Sequence, residues 1–121
     1  MNVKRLIQSF KDAGRGVSFV YKNEQNFRIQ LFFALVVIVS MFALGVRTSE
    51  RIVILLLIIL VVVLEFINTI IEKFLDLLKP RLHGHVEVIK DVMAAAVLIS
   101  SIGSLVIGYI IFMPYIVELV F

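Results

Sequence analysis

The sequence predicts an all-α membrane protein with a single domain over residues 1–121, and three observations carry this prediction. Its side chains are 61% hydrophobic, whereas soluble domains are roughly 45–50% apolar. Residues 29–46, 52–71 and 92–113 form apolar stretches, each close to the roughly 20 residues that cross about 30 Å of hydrocarbon. Residues 3–22 combine basic and apolar side chains at helical spacing. The expected fold is three transmembrane helices preceded by an amphipathic surface helix.

The N-terminal segment has the pattern of a helix that lies on a membrane surface. Its apolar and basic residues occupy different positions of the helical repeat. The apolar residues are Leu6, Phe10, Ala13, Val17 and Val20, and the basic residues are Lys4, Lys11, Arg15 and Lys22. Such helices bury their apolar face at the headgroup boundary. A basic tail that only sets the topology is the alternative. The segment does not have the pattern of a signal peptide, and none is expected.

The distribution of basic residues predicts the orientation of the spans. Basic residues precede the first span and lie between the second and third: Lys4, Arg5, Lys11, Arg15, Lys22 and Arg28, then Lys73, Lys79, Arg81 and Lys90. The turn over 47–51 has two basic residues and Glu50. Because basic loops stay in the cytoplasm, the N-terminus and a loop over 73–91 are expected there, and the C-terminus outside.

Four polar residues on one helix face are the strongest functional signal, and they are Glu65, Asn68, Glu72 and Asp76. They follow residues 52–64, which contain no polar side chain. At roughly 100° per residue they fall at about 0°, 300°, 340° and 20° around the helix. A carboxylate at bilayer depth costs about 2.5–3.5 kcal/mol on insertion scales. Such a residue is therefore a functional candidate.

The depth of this polar stripe indicates the chemistry that it suits. If the second span begins at Ile52 on the outer side, Glu65 lies roughly 20 Å into it, in the inner half of the bilayer. Glu72 follows about 10 Å later, near the cytoplasmic boundary, and Asp76 is in water. The stripe connects the lipid headgroup level to the cytosol, as a reaction between a lipid hydroxyl and a water-soluble partner requires.

Glu24 precedes the first span and is expected at the same depth as Glu72. Two carboxylates on separate helices provide the oxygen ligands that Mg²⁺ prefers, and Mg²⁺ is often bound by one or two carboxylates together with substrate phosphates. The alternative for Glu24 is an ion pair with Arg28, four residues further along a helix.

Other polar residues near the predicted cytoplasmic side carry weaker signals. Lys90 is either a phosphate ligand or a basic anchor of the third span. Asp91 either belongs to the same site or stabilises a helix N-terminus. His83 and His85 form a weak zinc signal because the chain has no cysteine, so a solvated loop is expected there.

The third span carries small residues at four-residue spacing, which are Ala96, Ser100, Ser104 and Gly108. Such spacing lets helix backbones approach closely, so packing is the expected role. Because three helices provide little material to shield Glu65 from lipid, we also expect a homo-oligomer with shared sites. Two other functions stay open, which are a proton- or cation-conducting oligomer and a non-catalytic scaffold. No nucleic acid partner is expected.

Three motifs resemble those of the small prokaryotic diacylglycerol kinase family, which includes the undecaprenol kinases of Gram-positive bacteria. The most specific is E-x-x-N-T-x-I-E-x-x-x-D, over residues 65–76. The second is E-x-N-F-R, over residues 24–28, and the third begins with Lys-Asp in residues 90–99. The resemblance extends from about Arg5 to Gly108.

The resemblance implies a homotrimer of three-span subunits in the bacterial cytoplasmic membrane that transfers the γ-phosphate of ATP to a lipid hydroxyl. Glu65 is then the general base, and Glu24 and Glu72 hold Mg²⁺ against the ATP phosphates. Asn68 positions Glu65 or the phosphates. The residues implied in nucleotide binding are Glu24, Asn68, Glu72, His83, Lys90 and Asp91, and those implied at the lipid substrate are Arg5 and Glu65.

The resemblance is greater to the undecaprenol branch than to the branch that prefers diacylglycerol. The surface helix has no tryptophan and reads Ala-Gly-Arg-Gly over residues 13–16, and the first span is entered through Asn-Phe-Arg over 26–28. Undecaprenol is therefore the expected acceptor, and diacylglycerol is the alternative. The depth of Glu65 does not choose between them, because both lipids place a primary hydroxyl near the headgroup level.

Overall fold

The computed structural model describes residues 2–78 and 83–121, without the side chain of His83. This part of the chain folds into the helices α1 (Val3–Asn23), α2 (Gln25–Ala43), α3 (Thr48–Leu78) and α4 (His83–Val120). The all-helical prediction is confirmed. Helix α1 covers the segment predicted as a surface helix, while its position at a membrane surface stays a prediction.

Three helices of the described chain are long and apolar enough to cross a membrane, namely α2, α3, and α4 from Gly84 onward. The prediction of three spans is thereby confirmed. Helix α3 has 31 residues and is about 46 Å long, which exceeds the roughly 30 Å of the hydrocarbon layer. Its last turns, with Glu72 and Asp76, therefore extend toward water when the apolar turns lie in lipid.

The predicted loop over 73–91 is wrong in extent. Helix α3 continues to Leu78 and α4 begins at His83, so both flanks of that segment are helical. The apolar stretch ends near Lys73, but lysine and glutamate are good helix formers. Nothing in the sequence before Pro80 breaks the helix.

Helix α1 is capped at its start and exposes most of its surface. Asn2 caps the N-terminus, since its side-chain oxygen accepts the backbone N–H of Arg5 at 3.2 Å. Glu24 follows the helix in an extended conformation, with φ −115° and ψ 106°, and this separates α1 from α2. Phe10 is 72% exposed. An apolar face that the protein leaves uncovered suits contact with lipid.

Helices α2 and α3 meet in a tight turn beside the buried core, and we term this region the turn end. Gly45 has a φ of 64°, a left-handed conformation that favours glycine. The core cluster consists of Met41, Val46, Ile54 and Ile111. It fixes the α2–α3 turn against the far part of α4.

Helix α3 packs most extensively against α4 and less against α2. A cavity of about 570 Å³ is lined by residues of α2, α3 and α4. Its lining is largely apolar and includes Val61 and Val62, one turn of α3 from Glu65. Ser104 and Gly108 also line this cavity, and no atom lies within contact distance of the Cβ position of Gly108. The close helix packing expected at this end of the small-residue series is therefore not made within one chain.

Candidate functional site

Glu65 is buried within the single chain, and its carboxyl group is not fully paired. The residue is 2% exposed, and its Oε2 has no hydrogen-bond partner among the described residues. Thr69 is also buried, but its hydroxyl donates to the backbone carbonyl of Glu65 at 3.1 Å. Leaving a buried polar group unpaired costs about 1–3 kcal/mol, and more for a charged group. Packing does not explain a glutamate at this position.

The expectation that a neighbouring copy must cover Glu65 is wrong, because one chain already buries it. The junction between α1 and α2 packs against α3 next to this residue. Phe27 of α2 is 2% exposed, and its ring centroid lies 5.2 Å from that of Phe66, the residue next to Glu65.

Two further carboxylates, those of Glu24 and Glu72, lie near enough to Glu65 to act on it electrostatically. Glu24 lies in the extended junction before α2, and the other two lie on α3. Because like charges repel, such a group is stable only with a cation or a proton nearby. We term these residues, together with Asp76 and Lys90 beyond them, the acidic end.

Arg28 does not take Glu24 as its partner. Its Nη1 donates to the backbone carbonyl oxygens of Tyr21 at 2.6 Å and Lys22 at 3.2 Å. Carbonyls in the last turn of a helix lack partners within the helix, so this arginine caps α1. The alternative of a Glu24–Arg28 ion pair is therefore wrong. The Glu24 carboxylate is left to another partner.

Aromatic contacts hold the α1–α2 junction against α3. Besides the Phe27–Phe66 pair, the Nζ of Lys73 lies 5.4 Å from the ring centroid of Phe19 on α1. These side chains fix the position of Glu24 relative to α3, a role that the sequence alone did not predict for them. A signal was present, since Phe27 and Phe66 lie within the same two motifs as the acids.

Asn68 contacts Glu72 across one turn of α3. Its Nδ2 donates to Glu72 Oε1 at 3.4 Å, and both side chains are partly buried. This contact restricts the orientation of the Glu72 carboxylate. The direct contact of Asn68 is therefore with Glu72, whereas the sequence left Glu65 and the phosphates as its targets.

The remaining predicted site residues divide into those near the acidic end and those away from it. Lys90 Nζ lies 3.6 Å from Asp76 Oδ1, and the neighbouring Asp91 is exposed. Arg5 lies in the first turn of α1, far from the acids along that helix. The side chain of His83 lies outside the described residues, so its role at the nucleotide stays a prediction.

A buried, incompletely paired carboxyl in a membrane-spanning helix, with further acids toward the helix end, defines an integral membrane enzyme better than a scaffold. Residues 11–112 match the family described as prokaryotic diacylglycerol kinase. The chain belongs to this family and is a multi-pass membrane lipid kinase, for which ATP is the implied phosphoryl donor. Membership of this kinase family favours an enzyme over the two other functions that the sequence left open, a conducting oligomer and a scaffold.

Two relatives cover nearly the whole chain. The undecaprenol kinase of Bacillus subtilis is 34% identical over 112 residues, which are 93% of this chain and 91% of that protein. The diacylglycerol kinase of Synechocystis sp. is 32% identical over 115 residues, which are 94% of this chain and 66% of that protein. The two identities are similar, so they support a lipid kinase without selecting its acceptor.

Proposed function

We propose that the chain transfers the γ-phosphate of ATP to the hydroxyl of undecaprenol at the acidic end. The observation that carries this proposal is the buried carboxyl of Glu65 with its unpaired oxygen. Among the acids of the polar stripe on α3, Glu65 lies furthest from the helix end at Leu78. A lipid hydroxyl that approaches from the apolar cavity beside Val61 and Val62 meets this carboxylate before it meets Glu72 or Asp76.

Glu65 is the general base in this proposal. Its carboxylate accepts the proton of the lipid hydroxyl while the hydroxyl oxygen bonds to the γ-phosphorus and ADP leaves. A free Oε2 supports this role, because a base must have a lone pair that no protein donor occupies. Thr69 does not compete for the proton, since its hydroxyl is bonded to a backbone carbonyl.

Glu24 and Glu72 fit Mg²⁺ by the chemistry of their donors. Both present carboxylate oxygens and lie close enough to Glu65 to interact with it. Within residues 2–78 and 83–121, no group of three or more potential metal ligands comes together. Two carboxylates, completed by water and ATP phosphates, are a usual set for Mg²⁺. Bound there, Mg²⁺ would neutralise phosphate charge, and Asn68 would keep Glu72 oriented toward it.

The cavity between α2 and α4 supports a lipid as the acceptor. Its largely apolar lining begins one turn of α3 from Glu65, at Val61 and Val62. A hydrocarbon chain in this cavity would leave its hydroxyl at the level of the base. The choice of undecaprenol rests on the resemblance of the motifs and on the Bacillus subtilis relative. Diacylglycerol stays the alternative because of the Synechocystis relative.

We also propose a homotrimer with shared sites, oriented with the acidic end in the cytoplasm. The orientation rests on the basic residues of the N-terminal segment and of the α3–α4 connection. The acids alone do not require a neighbour, since one chain gathers them. The proposed role of Arg5 does require a neighbouring subunit, because about 27 Å of helix separates Arg5 from the end of α1. An arginine that acts at the lipid beside Glu65 would then come from a neighbouring subunit.

One assay tests the proposed function. The purified protein is reconstituted in lipid with Mg²⁺ and γ-labelled ATP, and undecaprenol and diacylglycerol are offered at matched mole fraction. We expect undecaprenol to be labelled faster than diacylglycerol. A site that accepts both lipids would label both of them, with undecaprenol still the faster. Faster labelling of diacylglycerol would reverse the acceptor preference. Absence of label on every lipid alcohol, with intact protein, would refute the proposed function.

A further inference from the structure

Asp76 is the member of the polar stripe that has no part in the proposed reaction or metal site. It lies one turn beyond Glu72 on α3, and its Oδ1 is 3.6 Å from the Nζ of Lys90 on α4. The two residues are joined across the end of the helix pair. Their side chains are 54% and 33% exposed, respectively, so this contact is open to a water-soluble ligand.

Buried neighbours fix the placement of this pair. Val86 is 1% exposed and Met93 is 8% exposed, and they lie four residues before and three residues after Lys90. On a helix this spacing puts all three on one face, so the Lys90 stem is directed toward α3. On the other side, the buried Leu75 precedes Asp76. The lysine is thus held on a packed surface rather than on a free loop.

Among the described residues, Lys73 also lies near this end, but it is engaged elsewhere. Lys73 lies three residues before Asp76, a spacing that permits an ion pair on a helix. Its Nζ is instead placed over the Phe19 ring of α1. Within residues 2–78 and 83–121, Asp76 therefore pairs with Lys90 of the neighbouring helix rather than with Lys73 of its own helix.

We propose that Asp76 is a positioning residue, which holds the Lys90 ammonium beside Glu72 so that both face the phosphates of the nucleotide. This inference rests on the proposed function of the same site. Asp76 and Glu72 are about 6 Å apart along the helix axis, so a lysine fixed by the first lies next to the second. A long lysine side chain loses rotamer freedom when it binds a ligand. Fixing it beforehand lowers that cost, which is the general benefit of preorganisation.

The test measures nucleotide binding and turnover on Asp76→Asn in the reconstituted full chain. The binding probe is Mg²⁺ with β,γ-imido-ATP. We expect its dissociation constant and the KM for ATP to rise about fivefold, the upper range for a partly exposed ion pair, with kcat nearly unchanged. Asp76→Glu should restore most of the affinity. Asp12→Asn is the matched control, since Asp12 pairs with Arg15 on the exposed surface of α1 and should leave both constants unchanged.

A Lys90→Gln background shows whether Asp76 acts through the lysine. There, adding Asp76→Asn should change neither the dissociation constant nor KM further. Independent and additive effects would overturn the inference, and so would unchanged binding in the single variant. Tighter binding in Asp76→Asn would also overturn it, because Asp76 would then compete with phosphate for Lys90.

The unfolding midpoints of the unmodified protein, Asp76→Asn, Lys90→Gln and the double variant provide a readout that does not depend on activity. Non-additive midpoints would support the Asp76–Lys90 contact, and additive midpoints would count against it. If the unmodified protein binds no imido-ATP and labels no lipid alcohol, the proposed function fails and this inference falls with it. If the unmodified protein is active but Asp76→Asn behaves like Asp12→Asn, only this inference fails.

Discussion

Glu50 and Glu65 belong to the same helix, about 22 Å apart along its axis, and their surroundings are opposite. At the turn end, Glu50 Oε1 accepts hydrogen bonds from the Tyr115 hydroxyl and from Arg47 Nε. The Tyr115 hydroxyl in turn accepts the backbone N–H of Arg47 at 3.1 Å. At the acidic end, Glu65 is more deeply buried and has an oxygen with no partner in the described chain.

This difference separates a structural carboxylate from a chemical one. Glu50 joins the α2–α3 turn to α4, so its hydrogen bonds stabilise the fold. Glu65 does the reverse, because burying an incompletely paired polar group lowers the stability of the fold. Strained or unsatisfied groups that persist in a fold concentrate at functional sites. The turn end therefore supplies rigidity, and the acidic end supplies the reaction.

The largest expected effect is that of Glu65→Gln on turnover. We expect turnover to fall by about 10²–10⁴-fold, the usual contribution of a general base, because an amide does not accept the hydroxyl proton. Binding of Mg²⁺–imido-ATP should be retained, since the phosphates lie nearer Glu72. Label transfer and nucleotide binding are measured on the same sample. Near-normal turnover would exclude Glu65 as the base and would remove the contrast with Glu50.

The next effect concerns the metal. Glu24→Gln and Glu72→Gln should each raise the Mg²⁺ concentration for half-maximal turnover by at least about tenfold, because each removes a proposed oxygen ligand. A Mg²⁺ titration at fixed ATP measures this, with Asp12→Asn as the matched control. An unchanged titration for Glu24→Gln would mean that the gathering of carboxylates does not reflect metal binding.

Mixed oligomers test the sharing of sites. Subunits with Arg5→Ala and subunits with Glu65→Gln are each expected to have low turnover, and mixing them should restore part of it. The reason is that Arg5 lies about 27 Å from the end of α1 and is proposed to act on a neighbouring subunit. No recovery in oligomers verified to contain both subunits would place each site within one chain.

The smallest effect belongs to the turn end. Tyr115→Phe removes the hydroxyl that bonds to Glu50 and Arg47, so the free energy of unfolding should fall by about 1 kcal/mol. Turnover at the acidic end should be unchanged. Tyr21→Phe is a suitable control, because no hydrogen bond of the Tyr21 hydroxyl is found within residues 2–78 and 83–121, and Arg28 bonds to the backbone carbonyl of Tyr21. A loss of turnover in Tyr115→Phe would show that the two ends are coupled.

Helical periodicity made much of this site predictable. The 3.6-residue repeat places Glu65, Asn68 and Glu72 on one face regardless of what surrounds the helix. The Asn68–Glu72 contact follows from the same repeat. The three spans were equally predictable from the sequence, since their apolar length follows from the thickness of the bilayer.

The partners of individual residues were less predictable because they depend on packing between helices. Arg28 was paired with Glu24 by local spacing, yet it caps the end of α1 instead. Glu65 was expected to need a neighbouring chain, yet the packing of one chain already leaves it only 2% exposed. The loop predicted over 73–91 was too long. Hydropathy marks where an apolar stretch ends, but a helix can continue past that point.

A paired measurement on Glu50→Gln and Glu65→Gln tests the central claim most directly. Unfolding midpoint and phosphoryl transfer are determined on both variants in the same lipid. Glu50→Gln should lower the midpoint and keep transfer, because it weakens hydrogen bonds to Tyr115 and Arg47. Glu65→Gln should keep or raise the midpoint and lose transfer, because it neutralises a buried carboxylate that acts in the reaction and does not stabilise the fold. The reverse pattern, or loss of transfer in both variants in proportion to a lower midpoint, would contradict the division into a structural and a chemical end.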